Sequence, residues 1–532
     1  MKNTKILLLV LFILLSIQSN LLSQYEQAWV KKYIGFNNRQ DVSTDIVLDN
    51  SGNIFVSGAV QEQNNNFDMC VIKYYPSGDT HWVRLHNNLS DGARSIAADA
   101  EGNILVAGHS SFHRYVIKYN TLGVKLWERD LGSGQCIKVV TDGLNNVCVT
   151  GYVTNSGSFN DFITTKLNSN GVVLWQKYYF GSANSQDYPQ DMGVDIQGNF
   201  YVTGYTNESG SMDDFCTLKY DPNGNLTWAK KYNGPGNNVD GAFSLSLDDF
   251  NNVYVSGYST GSGTSSDFCT VKYDSNGVEK WVKRYNGPTN SYEGAWVNAV
   301  DLNNNIYVGG QSPGTSGGDD YCLIKYDNNG NHLWVSRYNG PGNNFDGIRD
   351  IVLDTNGNAF VTGISMGSGN LYNACTVKFD TSGSQQWVAR YIGDPYSIST
   401  DIALDGENNI IITGCSVAQG RNDSDIVVIK YSSAIGIEYI NSSIPSEFSI
   451  KQNFPNPFNP VTTIVFSVPK RSAIKLNVYN SIGSIVAELA AGIAGPGNYK
   501  IDWDASNFPS GVYFYKIVTD SYSESRKMVL VK

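Results

Sequence analysis

Charge is scarce in this sequence. Of 532 residues only 16% are Asp, Glu, Lys or Arg, where an ordinary globular chain has about a quarter, while aromatic residues reach 12%. A chain so poor in charge and rich in aromatics is neither disordered nor a charged coiled coil. Basic residues are the scarcer sign: 38 Lys and Arg stand against 49 Asp and Glu, for a formal charge of −11 and a pI near 5.0. That balance removes the electrostatic drive toward phosphate backbones and anionic lipid surfaces, so no nucleic-acid partner is expected. Histidine is rarer still, with only His81, His86, His109, His113 and His332. Gly-x-Ser-x-Gly, His-Glu-x-x-His and a phosphate-binding Gly-rich loop before a helix are all absent, so no catalytic motif is visible and no cofactor is expected. His109 and His113 flank a very short connection and could meet across a hairpin. A metal would need a third ligand and second-shell support, and no metal site is expected.

Long apolar runs are missing beyond the first residues. Lys2 and Lys5 precede a run from Ile6 to Ile17 broken only by Ser16, and a polar stretch ends at Gln24. That layout reads as a secretory signal peptide, residues 1–23, with cleavage near Ser23. No later segment reaches the roughly 18 apolar residues of a membrane helix, so no membrane span is expected.

Eight cysteines in an exported chain raise the question of a disulfide framework. Cys216, Cys269, Cys322 and Cys375 recur every 53 residues, and Cys70 holds the same place in its own unit. Equivalent residues of repeated units lie too far apart for the about 4.4–6.8 Å between Cα atoms that a bridge requires. They read as small buried thiols. Cys136 and Cys148 alone could face each other across one hairpin.

Tryptophan counts the repeat. Trp29, Trp82, Trp127, Trp175, Trp228, Trp281, Trp334 and Trp387 are separated by 53, 45, 48, 53, 53, 53 and 53 residues. Periods of this size mean propellers or solenoids. Within a unit, alternating segments such as Asp350–Asp354, Ala359–Ile364, Cys375–Asp380 and Gln386–Tyr391 predict a four-stranded antiparallel meander. Between the first two strands an Asp is followed three residues later by Gly52, Gly102, Asn145, Gly198, Asn251, Asn304, Gly357 or Asn408, and by nothing else. Gly and Asn tolerate the left-handed backbone of a short bulged hairpin loop. Gly78, Gly123, Gly171, Gly224, Gly277, Gly330 and Gly383 take that part before the fourth strand. The Asp-x-Asn-Gly runs at 221–224, 274–277 and 327–330 are read as such turns, because they lack the further ligands of a calcium loop.

The last unit has Asp401–Asp405, Asn409–Gly414 and Asp425–Tyr431 but no Trp after them. An unmatched fourth strand, Gln27–Tyr33 with Trp29, stands at the other end of the chain. Joining the two would complete one sheet and protect the edges an open array exposes. The prediction is an all-β chain: an eight-bladed β-propeller over 24–433 closed by an N-terminal strand, a linker at 434–447, and a small Ig-like β-sandwich at 448–532. The repeats, for example Asp267-Phe-Cys-Thr-Val-Lys-Tyr-Asp-Ser-Asn-Gly-Val-Glu-Lys-Trp281, resemble the bacterial SBBP-type β-propeller repeat. The resemblance implies a propeller outside the cytoplasm and no settled activity.

After Asn441 the composition shifts. Asn453-Phe-Pro-Asn-Pro-Phe-Asn-Pro460 excludes regular structure through its prolines, and strands are expected at Thr462–Val468, Ile474–Tyr479, Gly497–Trp503, Gly511–Val518 and Lys527–Val531. Asn456-Pro-Phe-Asn-Pro460, Val478-Tyr-Asn-Ser-Ile-Gly483, Phe508-Pro-Ser-Gly-Val-Tyr-Phe-Tyr515 and Lys527-Met-Val-Leu-Val-Lys532 closely resemble the type A C-terminal sorting domain of the type IX secretion system. That resemblance implies the type IX machinery as partner, and release or outer-surface attachment after Sec export.

Two further patterns bear on function. Asp68, Asp161, Asp214, Asp267, Asp320 and Asp425 recur just before the third strand, each with a Lys five residues later, most simply as a hydrogen bond or ion pair between sheets. Five residues before each first-turn Asp stand Thr44, Arg94, Ile137, Gln190, Phe243, Trp296, Arg349 and Thr400, near the expected mouth of a central channel. Equivalent positions that differ this much answer to no shared packing demand. Arg94, Phe243, Trp296 and Arg349 are therefore the candidate ligand contacts, since aromatic faces suit sugar rings or partner anchors and guanidinium suits carboxylates. The alternative is that Phe243 and Trp296 only plug the channel. Segments such as Gln61–Phe67, Thr206–Asp214, Ser259–Asp267, Ser312–Asp320, Asn233–Asp240 and Asn339–Asp346 mark one face as the long-loop face. The expected function is a secreted or surface-displayed, non-catalytic propeller binding an extracellular protein or glycan on that face. The alternative is a secreted enzyme, either a quinoprotein-like dehydrogenase, whose adjacent cysteines are missing here, or a polysaccharide-degrading enzyme.

Overall fold

The computed structural model describes residues 25–36, 39–63, 65–88, 90–154, 160–183, 185–315, 317–369, 371–433, 438–441, 445–470, 472–494 and 496–532. The expected signal peptide lies outside these residues, as do 434–437 and 442–444 of the expected linker region. Every regular element among the described residues is a β-strand. By its internal contacts the chain divides at Ala28/Trp29 and at Lys430/Tyr431, with 29–430 forming one compact unit.

Up to Ser433, eight four-stranded antiparallel sheets are formed among the described residues. Sheets 1 to 7 take four consecutive strands each, over 41–86, 91–133, 135–179, 188–232, 240–285, 294–338 and 346–390. Sheet 5 shows the plan with Asp240–Leu247, Val253–Thr260, Ser266–Tyr273 and Glu279–Tyr285. Its two middle strands are β-branched and aromatic and are buried on both faces, because each sheet has a neighbour on either side. Sheet 8 holds Tyr396–Leu404, Ile410–Val417 and Asp425–Ser433, and beside the last lies Tyr25–Tyr33. The first strand of each sheet packs on the first two strands of the sheet before it, and sheet 1 packs so on sheet 8.

The turn residues behave as their chemistry requires. Gly52, Gly102, Asn145, Gly198, Asn251, Asn304, Gly357 and Asn408 all have φ between 58° and 81°. In each first turn the Asp closes the loop: Asp248 Oδ1 accepts the N–H groups of Phe250 and Asn252 at 3.0 and 2.8 Å. Asp221, Asp274 and Asp327 do the same in the third turns, so the Asp-x-Asn-Gly runs are self-capped hairpins.

Successive sheets are clamped at one point. The indole Nε1 groups of Trp29, Trp82, Trp127, Trp175, Trp228, Trp281 and Trp334 donate to a third-turn carbonyl of the next sheet at 2.9–3.3 Å. The turn glycine must be small as well as left-handed, since a Cβ on Gly277 would lie 2.8 Å from the Trp228 ring. The recurring lysine reaches the same carbonyl, with Lys73, Lys219 and Lys272 donating to Thr121, Ser275 and Asn328 at 3.0, 2.9 and 3.1 Å. It also pairs with the first-turn Asp of its own sheet, as in Lys118–Asp99 at 2.7 Å and Lys430–Asp405 at 2.8 Å. The lysine thus joins sheets as expected, but not through the Asp five residues before it. That Asp lies at the other end of the strand, where Ser211, Arg284 and Arg337 hold Asp214, Asp267 and Asp320.

The reading of the cysteines as buried thiols holds, and the expected long second turns are corrected. All eight cysteines are free and buried. Cys136 stands opposite Gly151 and Cys148 opposite Val140, so the ladder register keeps these two thiols apart. The second-turn segments expected to be long, such as 208–212 and 261–265, match the first turns in length, because the strands run on to Asn207 and Thr260 and start again at Asp213 and Ser266; in sheet 8 the segment 418–424 is longer than its first turn. The long connections on that face are those between sheets, such as 233–239 and 286–293.

The C-terminal module packs two four-stranded sheets on one core. One has the order Glu438–Asn441, Gly497–Asp504, Val461–Val468, Ser449–Ile450, and the other Ile485–Ala494, Ser472–Tyr479, Gly511–Thr519, Ser523–Leu530. Ile464, Phe466, Leu476, Val478, Trp503, Tyr515, Ile517 and Met528 fill the space between them. Strand Ile485–Ala494 was not foreseen, since its Ala-rich run lacks β-branched alternation. The proline-rich segment is tied to the last strand through Phe458 N–H to Val529 O and Val531 N–H to Phe458 O, both 3.0 Å.

Candidate functional site: an aromatic arc on the first-strand bulges

Every first strand carries one β-bulge at the same place. The unpaired residues are Thr44, Arg94, Ile137, Gln190, Phe243, Trp296, Arg349 and Thr400, the eight equivalent positions whose identity differs from unit to unit. A bulged residue has no ladder partner and its side chain is re-aimed, so variation there costs the sheet little. The residue after each bulge shows where these strands face. Lys138 of sheet 3 lies 3.9 Å from Asp45 of sheet 1 and is acted on also by Asp191, Asp401 and Asp350 of sheets 4, 8 and 7. The first strands therefore converge on one shared space. The nearby Asp45 charge holds the Lys138 ammonium well above its ordinary range, against the burial that would lower it.

The structure brings two of the four candidates together. Phe243 and Trp296 meet edge-on with centroids 4.9 Å apart, and Tyr258 contacts both at 5.4 and 6.1 Å. The contacts continue to Tyr292 at 5.7 Å on one side. On the other they run through Tyr205 at 6.3 Å, Tyr188 at 5.7 Å and Tyr152 at 5.2 Å. Six rings from sheets 3 to 6, together with Tyr292 of the 286–293 connection, make one arc, on the ends of the strands nearest the between-sheet connections. Glycine makes room for it: Gly241 pairs with Tyr258 in the ladder, and a Cβ on Gly294 would stand 2.6 Å from the Trp296 ring.

Polar groups line the arc. Asn160 Nδ2 donates to Tyr188 Oη at 2.6 Å, Tyr188 Oη to Gln186 Oε1 at 3.2 Å, Asn207 Nδ2 to Asp213 at 2.9 Å, and Gln311 Nε2 to Asp319 at 2.9 Å. Burial pushes the phenols of Tyr205 and Tyr292 up to about 12, so both remain protonated donors at neutral pH. Trp296 Nε1 is buried with no hydrogen-bond partner.

Arg94 and Arg349 are exposed and do not join the rings of Phe243 and Trp296. Arg94 lies by His109 and Tyr152, and Arg349 by Tyr396, which meets Tyr372 at 6.2 Å. The five tyrosines of the arc are not among the residues that the sequence pattern singles out. For three of them, Tyr152, Tyr205 and Tyr258, the signal is the residue after the second-strand glycine, where Ala59, His109, Tyr152, Tyr205, Tyr258, Gln311, Ile364 and Cys415 vary from unit to unit; Tyr188 and Tyr292 stand outside that position. His109 and His113 stand on successive rungs, opposite Arg114 and Ser110, and so on opposite faces of their hairpin. No group of three or more His, Cys, Asp or Glu converges on a metal position among the described residues.

A second acidic position lies under this face. Asp41, Asp91, Asp187, Asp240, Glu293 and Asp346 open the first strands and are fully buried. They staple the preceding connection, as in Gly181 N–H to Asp187 and Gly340 N–H to Asp346 at 2.7 and 2.6 Å. Each also sits by the carboxylate that opens the previous sheet's third strand, for example Asp240 by Asp214 and Glu293 by Asp267. Burial first, then the like charge, pushes Asp41, Asp187 and Asp214 up to about 6 and Glu293 up to about 7. Asp68 rises to about 7 through burial, Glu62 and Asp91.

Residues 452–532 match the family model of the secretion system C-terminal sorting domain, and 31–59 and 175–210 match that of the β-propeller repeat. An uncharacterised WD repeat-containing protein of Acanthamoeba polyphaga mimivirus is 21% identical over 470 residues, 70% of this chain, and the chain spans 33% of that protein's length. Among solved structures, the Dos1 propeller matches with a TM-score of 0.45 at 10% identity, over 76% of this chain and 95% of that one. A copper-bound fungal alcohol oxidase of the AA5 family matches with a TM-score of 0.40 at 11% identity, over 96% and 100%.

Proposed function

We propose that this chain, a β-propeller repeat protein carrying a type IX secretion C-terminal sorting domain and exported to or beyond the outer cell surface, is a non-catalytic binding protein. The eight sheets are read as the blades of one closed ring, with Tyr25–Tyr33 as the closing strand. Ile46 N–H donates to Asp401 at 2.7 Å, Asp41 N–H to Ser424 O at 2.7 Å, and Trp29 clamps sheet 8 to sheet 1 as the other indoles clamp their neighbours, which supports closure. The ring is a rigid frame, and its variable bulges present a surface at the mouth of the channel on the face with the long connections.

The observation that carries this reading is the aromatic arc, which occupies the positions freed from packing. A Phe243→Ala/Trp296→Ala variant of the mature chain tests it against immobilised polysaccharides and matrix proteins. Wild type is expected to retain at least one ligand that the variant releases, and to return that ligand with unchanged mass. Equal retention by both proteins would sink the assignment of the mouth, and a ligand cleaved or oxidised on the column would sink the non-catalytic reading.

A further inference from the structure

From the composition of the arc we infer that its ligand is an extended, uncharged glycan chain; this rests on the mouth being the binding surface. Three features of the site point to that class. The first is ring continuity. Tyr152, Tyr188, Tyr205, Phe243, Trp296, Tyr258 and Tyr292 succeed one another at centroid distances of 4.9–6.3 Å across four sheets, so the apolar surface is a track and not a single pocket. A linear ligand with repeated apolar faces fits a track, and pyranose rings have such faces.

The second is the hydrogen-bonding rim. Asn160, Gln186, Asp213 and Asp319 lie beside the rings and already bond tyrosine or amide partners at 2.6–3.2 Å. Side chains that alternate donor and acceptor next to aromatic faces match hydroxyl groups, which both donate and accept. Trp296 Nε1, buried and without a partner, is one further donor in the arc.

The third is charge. Asp213 lies by Tyr205 and Tyr258, and Asp319 by Tyr292, whereas in the space that the first strands share Asp45 is paired with Lys138 at 3.9 Å and burial beside Asp350 and Asp45 pushes Asp401 up. A polyanionic chain would meet the carboxylates of Asp213 and Asp319 beside the middle rings, and Arg94 and Arg349 stand only at the flanks of the track. The uncharged polymer is the one that both the rings and the carboxylates accept.

The test is calorimetry of the mature full-length chain with cellohexaose, laminarihexaose, mannohexaose, xylohexaose and N-acetylated chitohexaose, each beside its disaccharide, and with hexagalacturonate as the anionic comparison. At least one uncharged hexasaccharide is expected to bind, with its disaccharide weaker by about tenfold or more as fewer rings are covered. Trp296→Ala should weaken it by about tenfold or more, and Trp296→Phe, which keeps a stacking face, by less than about threefold. Should Trp296→Ala lower the melting temperature, Tyr292→Ala replaces it, because that ring is 41% exposed and its loss spares the core. Silence from every uncharged hexasaccharide, tighter binding of hexagalacturonate, or indifference to all three variants each overturns the inference. If the sugars are silent while a protein ligand is released by Phe243→Ala/Trp296→Ala, the glycan class falls and the mouth stands. If no ligand of any kind responds to the mouth variants, both fall.

Discussion

At the residue scale, two glycine demands coincide in one position. Gly277 has φ of 77°, and its missing side chain is also where the Trp228 ring lies. Gly277→Ala should cost about 1–2 kcal/mol for the backbone alone, with more for the displaced indole, measured as a lower urea midpoint at unchanged slope. Trp281 is only half-buried, so its loss is expected at the lower end of the range for large aromatics, with Trp281→Ala costing about 3 kcal/mol. A value under about 1 kcal/mol would mean that the clamp on Asn328 carries no stability. The turn glycines and asparagines were legible in sequence, because φ above zero narrows the choice of residue to two. The arc tyrosines were not, since a tyrosine in a strand is as ordinary in a core as in a site.

At the scale of elements, the bulged first strands and the carboxylate pairs beneath them set how the rim responds to pH. Asp41, Asp68, Asp187, Asp214 and Glu293 all have folded values raised to about 6 or 7. A raised acid holds its proton more tightly in the folded chain. Its contribution is therefore full below about pH 4, the unfolded value, and is lost as pH rises through 6 to 7. The turn acids run the other way: Asp99, Asp142 and Asp405 are held low by bonds from Lys118, Asn146 and Lys430 against burial, and stabilise only above about pH 4. Thermal unfolding should thus show a maximum near pH 4–5 and a decline toward pH 8. Asp214→Asn should flatten part of that decline without unfolding the chain, because sheet 7 already has Asn373 in the equivalent place. An unaltered pH profile in the variant would show that Asp214 and Asp240 do not repel. The third-strand acids were visible as a repeat, but their partners were not. A strand places its two ends far apart, and only the packing of the next sheet decides which carboxylate faces which.

At the scale of the whole molecule, the chain carries β-propeller repeats and a secretion system C-terminal sorting domain, which marks it for export to or beyond the outer cell surface. If the ring closes as proposed, Trp29 stands in the same clamp as Trp281, and Trp29→Ala should cost a similar amount, about 3 kcal/mol. An effect near zero would mean that sheets 8 and 1 open freely at that seam. Removing 448–532 should abolish passage across the outer membrane and leave the propeller in the periplasm, read by cell fractionation. Normal release of the truncated chain would mean that another segment carries the address.

Repetition made most of this molecule legible in one dimension. The 53-residue spacing of tryptophan, the Asp-to-Gly/Asn turns and the unmatched terminal strand are local demands of backbone geometry, and they recur wherever the unit recurs. The sequence by itself therefore determined the number of strands per unit, the tight first and third turns and the presence of the sorting module. Tertiary structure alone decided which side chains meet. Phe243, Tyr258 and Trp296 come from three strands in two sheets, and they touch because each bulge turns one residue out of its ladder toward a space that no single unit contains.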